Sequence, residues 1–145
     1  MLAQNSVIED AKSRRPQSLT QVAVWGAALG QIDGFLREFL DEFYSQSDQS
    51  ARTKMLMAEP ALSENIKSNA YLAAVAEYLS MQYQLTIPEW ALRPVRFLTR
   101  PYFSAGLESL KATRLVESPT AFRRRMIFVG ADPLYRPRKD KSNFG

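Results

Sequence analysis

The sequence predicts a mainly α fold: a compact helical domain with two long amphipathic helices, several short helices and a turn-rich, basic C-terminal part. Three observations carry this expectation. Apolar residues recur at steps of three and four through residues 22–43 and again through 66–83, which lines them up on one side of a helix. Prolines and polar clusters fall between these runs. At 145 residues, 46% apolar and 23% charged, the chain has the length and composition of one folded globular domain.

Residues 1–17 read as a flexible polar N-terminus. Glu9, Asp10, Lys12, Arg14 and Arg15 leave no room there for the apolar stretch of a secretory signal. The helical domain is expected over 18–132, opening at Ser18, where Ser18-Leu19-Thr20-Gln21 has the S-x-x-Q spacing of a capping box. One helix is expected to run on to Phe43, with Val22, Trp25, Leu29, Ile32, Leu36, Phe39 and Phe43 on its inner side and Phe35 and Leu40 widening the stripe. Gly26, Gly30 and Gly34 sit inside that run at four-residue spacing, each weakening a helix by up to about 1 kcal/mol or marking close packing. Small residues at this spacing also pair membrane helices. The flanking Asp33, Arg37, Glu38, Asp41 and Glu42 point instead to a water-facing helix on a core, with a homodimer seam as the lesser alternative.

The polar stretch 45–50 reads as a turn, followed by a short helix near 54–58 that Glu59-Pro60 interrupts. The second long helix spans about 66–83, with Ile66, Ala70, Tyr71, Ala74, Val75, Tyr78 and Leu79 on one face. From Leu85 the prolines and aromatics of Pro88-Glu89-Trp90, Arg93-Pro94 and Pro101-Tyr102-Phe103 predict turns and short helices. A helix is expected over 107–116, and another from Ser118-Pro119 with serine as cap. The apolar run 126–129 is a strand or an extended core segment, Gly130 ends it, and 133–145 is a basic tail ordered at most by a partner.

Histidine and cysteine are absent, which removes Ser-His-Asp and Cys-His catalysis, thiolate sites and the commonest metal ligands. Carboxylate pairs such as Glu108 with Glu117 stay open to enzyme chemistry, but helix pairing with Lys111 and Arg114 is the plainer reading. No Gly-rich phosphate loop follows a strand and no helix-turn-helix stands out. The expectation is therefore a cytoplasmic, non-enzymatic protein without cofactor or metal. With no run approaching the ~20 apolar residues of a span, a membrane partner is not expected either.

Charge is unevenly placed. Residues 1–85 hold seven Lys/Arg against ten Asp/Glu, and residues 86–145 hold twelve against five, so an acidic surface should meet the C-terminal part first. The candidate partner-binding set is Trp90, Arg93, Arg96, Arg100, Tyr102, Phe103, Arg123, Arg124 and Arg125. Cations beside aromatics also suit nucleic acid, which is the alternative partner. Solvated or internally paired arginines are the plain reading, because consecutive residues of a helix point about 100° apart and three in a row cannot face one partner.

Several segments carry a resemblance: 35–44, 70–79, Pro88-Glu89-Trp90, Arg96-Phe97-Leu98, 106–111 and above all the LVESPTAFRRRMIFV block at 115–129. They resemble a family of small bacterial proteins similar to the antitoxin partners of nucleotidyltransferase-like toxins of the RosmerTA type. The resemblance implies direct binding of such a toxin and brings no catalytic residues with it.

Overall fold

The computed structural model describes residues 8, 9, 11, 14–103 and 117–137. The helix expected over 107–116, with Glu108, and the tail residues 138–145 lie outside the described residues. Among those described the protein is mainly helical: α1 (Leu19–Leu29), α2 (Ile32–Ser45), α3 (Gln49–Met57), α4 (Ile66–Gln82), two 3-10 turns (Glu89–Leu92 and Pro94–Arg96), β1 (Tyr102–Phe103), α5 (Thr120–Arg123) and β2 (Ile127–Phe128).

The helix expected to run unbroken to Phe43 is in fact two. Gly30 takes the left-handed conformation (φ 67°), which glycine adopts without strain, and its N–H and that of Gln31 both close on the Gly26 carbonyl at 2.7 and 3.2 Å. Gly26 has the complementary job. A Cβ there would sit 2.8 Å from the Ile32 Cα, so only glycine lets the start of α2 lie against α1. The three-four apolar period survives the break because both helices face the same core, through Leu19, Val22 and Trp25 in α1 and Phe35, Leu36, Phe39, Leu40 and Phe43 in α2. Trp25 and Phe35 meet edge to face across the junction at 5.9 Å. Each large apolar side chain so buried is worth about 2 kcal/mol before conformational entropy is subtracted.

Ser18 caps α1 as its spacing predicts, accepting the Gln21 N–H at 3.2 Å, while the Gln21 side chain reaches back to the Gln17 N–H. Asp48 caps α3 by accepting the Ala51 N–H, which starts that helix earlier than the expected 54. Asn65 caps α4 through the N–H groups of Lys67 and Ser68. α4 is the hub: Ala70, Leu72, Ala73, Ala74, Val75, Ala76 and Leu79 are buried, more of its circumference than one apolar face supplies. Its alanines leave room for α5 and both 3-10 turns to pack on it. It ends where Gln84 turns left-handed (φ 60°) and the Leu85 N–H returns to the Ser80 carbonyl at 2.7 Å.

The run 126–129 contains a strand. β2 pairs in parallel with β1, Tyr102 opposite Ile127 and Phe103 opposite Phe128. Ser118 is not the cap of α5, whose first turn has no side-chain cap. Its buried hydroxyl donates to the Val129 carbonyl and accepts the Val129 N–H, both at 2.9 Å, and so clamps the end of β2. The boundary expected at 132 also moves. Leu134 is buried in the core, its carbonyl accepts the Tyr44 hydroxyl at 2.9 Å, and Arg136 grips Asp41 with two bonds, so 133–137 straps the body down. At the other end Ala11 belongs to the core and Pro16 is buried, so part of the segment 1–17 packs as well.

Candidate docking surface

Two of the arginines expected to meet a partner are instead inside the protein. Arg96 and Arg125 are both fully buried. Arg96 donates to the carbonyls of Asn69 (3.2 Å) and Pro60 (2.6 Å) and to the Glu59 carboxylate (3.1 Å), with its guanidinium 4.9 Å from the centre of the Trp90 ring. Arg125 donates to the carbonyls of Ala121 (2.7 Å) and Ala91 (2.5 Å) and to Glu77 (2.5 Å), and stacks on Phe97 at 4.4 Å. Burial holds both guanidinium pKa values below their ordinary value, and the paired carboxylates Glu59 and Glu77 oppose it only in part.

The reason lies in the local structure. Arg125 serves the carbonyls of Ala91 in a 3-10 turn and Ala121 in the four-residue α5, short elements that leave carbonyls without an N–H of their own, while Arg96 serves Pro60 in the loop before α4 and Asn69 in its first turn. A guanidinium carries five donors in a planar fork and can satisfy several such carbonyls at once, which lysine cannot. Arg96 and Arg125 are therefore internal staples that join the turn-rich region to α4, and they are withdrawn from the docking set. Trp90 goes with them: it is 6% exposed and its indole N–H bonds the Leu56 carbonyl at 3.0 Å.

The remaining members of the set reach the surface to different degrees. Arg93 is exposed and bound to Glu59 at 2.7 Å. Arg100 and Arg123 are exposed. Arg124 has 44% of its side chain exposed, lies 3.5 Å from Glu77 and rests over Phe97. Tyr102 and Phe103 are half-buried, the first under the Lys67 ammonium at 4.8 Å and the second stacked on Phe128 at 5.1 Å. The set is thus not one continuous face. The three-arginine run splits, Arg123 and Arg124 outward and Arg125 inward; α5 ends at Arg123, so the turn that follows it sets these directions.

Sequence reasoning passed over Leu92 and Val95. Both belong to the 3-10 turns, and they are 42% and 46% exposed. Together with Arg93 and Pro94 they make four consecutive exposed residues, held from either side by the buried Trp90 and Arg96. Arg124, over Phe97, flanks the same segment. The only hint in the sequence is the alternation of Leu, Val and Phe with Arg and Pro at 92–97, which no helical or strand period explains.

No helix among the described residues is long and apolar enough to cross a membrane. The chain matches no family model, no curated protein and no solved structure.

Proposed function

We propose that this chain is a protein-binding module that neutralises a nucleotidyltransferase-like toxin by direct contact, the antitoxin role implied by the resemblance of its 115–129 block. The observation that supports this reading best is the Leu92–Arg93–Pro94–Val95 segment. Exposed apolar side chains beside a guanidinium, on a backbone fixed by two buried anchors, lose little freedom on binding and suit the centre of a protein interface. Arg93 and Arg124 on the same region are partly exposed, and on docking they would exchange Glu59 and Glu77 for the metal-binding carboxylates of a nucleotidyltransferase pocket, which arginine can pair bidentately. Nucleic acid is the weaker alternative. With Arg96 and Arg125 committed internally, fewer cations are left to neutralise phosphates.

Co-expression with the toxin-like product of the neighbouring gene tests the proposal. The expected result is a stoichiometric complex and loss of toxicity, with both abolished by Leu92→Asp plus Val95→Asp. Those two side chains are exposed, so the double variant keeps the fold. Failure of the unmutated pair to copurify, or toxicity unchanged by its presence, overturns the antitoxin reading. Binding to DNA or RNA that falls steeply with salt would replace it with the nucleic-acid alternative.

A further inference from the structure

A cleft that involves none of residues 89–97 lies between α2, the first turns of α4, β1 and the 133–136 strap, with a volume of about 440 Å³. That is a usual size for a ligand site and room for two or three side chains. Its floor is aliphatic: Leu36, Leu40, Leu72 and Leu134, all buried. Its polar lining includes Arg37, Lys67, Asp33 and the rings of Tyr71 and Tyr102.

The charges of this cleft decide what it can hold. Six arginines are paired with carboxylates, Arg15 with Glu42, Arg93 and Arg96 with Glu59, Arg124 and Arg125 with Glu77, and Arg136 with Asp41. Arg37 and Lys67 are not. Both are exposed, and neither has a carboxylate within 4 Å among the described residues; Lys67 rests only on the Tyr102 ring. Asp33 is the sole carboxylate on the lining and is likewise without a salt-bridge partner among the described residues, so the uncommitted charge of the cleft is one net positive.

We propose that this cleft is a docking slot for an acidic peptide segment of a partner protein. One ligand carboxylate is taken by Arg37 and Lys67, and a neighbouring leucine- or phenylalanine-type side chain lies on the leucine floor. The hydroxyls of Tyr71 and Tyr102 are at hand to donate to the ligand's backbone carbonyls. Each feature narrows the ligand. Inorganic phosphate has no use for four leucines, and a wholly apolar ligand would leave both cations unanswered. A polyanion would bring several charges against Asp33, whereas one carboxylate per apolar side chain matches a net charge of one. The inference stands apart from the antitoxin reading and would hold for any protein partner.

The test titrates the isotope-labelled, full-length protein with N-acetyl-Glu-Leu-amide, using N-acetyl-Gln-Leu-amide and inorganic phosphate as comparisons and reading backbone amide shifts. Saturable shifts at Leu36, Lys67, Tyr71 and Tyr102 are expected, with the acidic peptide about tenfold tighter than the neutral one. Arg37→Ala with Lys67→Ala should bring the acidic peptide down to the level of the neutral one. Because both residues are exposed, that variant keeps the fold. Asp33→Asn should tighten the acidic peptide by about two- to threefold by removing a like charge. Equal binding of the two peptides, or no saturable shift in the cleft, overturns the proposal. So does phosphate producing the same shifts as tightly as the peptide, which would make the cleft a small-anion site, or weaker binding in Asp33→Asn, which would make Asp33 the anchor of an amine.

Discussion

Replacing Glu77 by alanine takes the counter-charge from a guanidinium that has no route to water. Arg125 is fully buried and Glu77 is 3% exposed, and the 2.5 Å bond between them is the only carboxylate contact of Arg125 among the described residues. The Nε of Arg125 has no acceptor among the described residues, so no spare bond can take over. Leaving one member of a buried pair behind costs about 3–5 kcal/mol. Total stability of a domain is on the order of 5–15 kcal/mol, so Glu77→Ala should remove about a fifth of it or more. At roughly 2–4 °C per kcal/mol for a chain of this size, the melting temperature should fall by about 6–20 °C. The pair Glu77→Leu with Arg125→Met removes both charges, leaves the carbonyls of Ala91 and Ala121 short of a donor at a cost of about 1–3 kcal/mol, and takes Glu77 from the half-exposed Arg124. Urea denaturation of the wild type, Glu77→Leu, Arg125→Met and the double variant closes the cycle, with Glu77→Ala measured beside it. The double variant should be no less stable than Glu77→Ala, with a coupling of about 2 kcal/mol or more. A loss below about 1 kcal/mol for Glu77→Ala, or additive single effects, would refute the buried-staple account.

Two further predictions concern stability. Gly26→Ala puts a methyl group 2.8 Å from the Ile32 Cα and should cost about 1–3 kcal/mol, while Gly34→Ala meets only the far end of Arg37 at 3.9 Å and should be neutral or gain up to about 1 kcal/mol; thermal melts of the two variants must shift in opposite directions or Gly26 lower than Gly34. Burial first, then the charges of Asp33 and Tyr102, push the Tyr71 hydroxyl up to about 12. The unfolded phenol ionises near 10, so this contribution is fully present below that pH and drains away at about 1.4 kcal/mol per pH unit as pH rises from 10 to 12. Tyr71→Phe should flatten that part of the stability profile, and an alkaline decline of unchanged slope would count against the assignment.

The legible part of this fold was the part governed by period and caps. The apolar stripes of α1 and α2 and the Ser18 cap followed from spacing, since a helical face and an N-cap are local properties of a few neighbouring residues, whereas α4 leaves the expected Ile66 exposed and buries Leu72, Ala73 and Ala76 from outside the expected face. The break at Gly30 did not follow, because apolar residues on two helices sharing one core can keep the same three-four rhythm as residues on one helix. The candidate site was read least well. Arg93 and Arg124 look no different in sequence from Arg96 and Arg125, yet the last two are inside, and what decides this is where unpaired carbonyls lie in three dimensions. The three arginines in succession do not share a direction, as expected, but the turn after Arg123 separates them rather than a helical period. Leu92 and Val95 were overlooked because exposure of an apolar side chain in a turn depends on anchors that lie outside the turn.

The strap has a consequence for how the chain comes off the ribosome. Asp41 waits for a guanidinium 95 positions later, an interval of roughly 5–20 s at ordinary rates of elongation. Throughout that delay the core lacks Leu134, and the Tyr44 hydroxyl lacks the Leu134 carbonyl. Newly made chains should therefore pass through a stage in which the early helices are formed but sticky, a natural target for chaperones and proteases. A stall or nick anywhere before residue 134 would prolong that stage, so closure by the strap doubles as a check that synthesis has reached it.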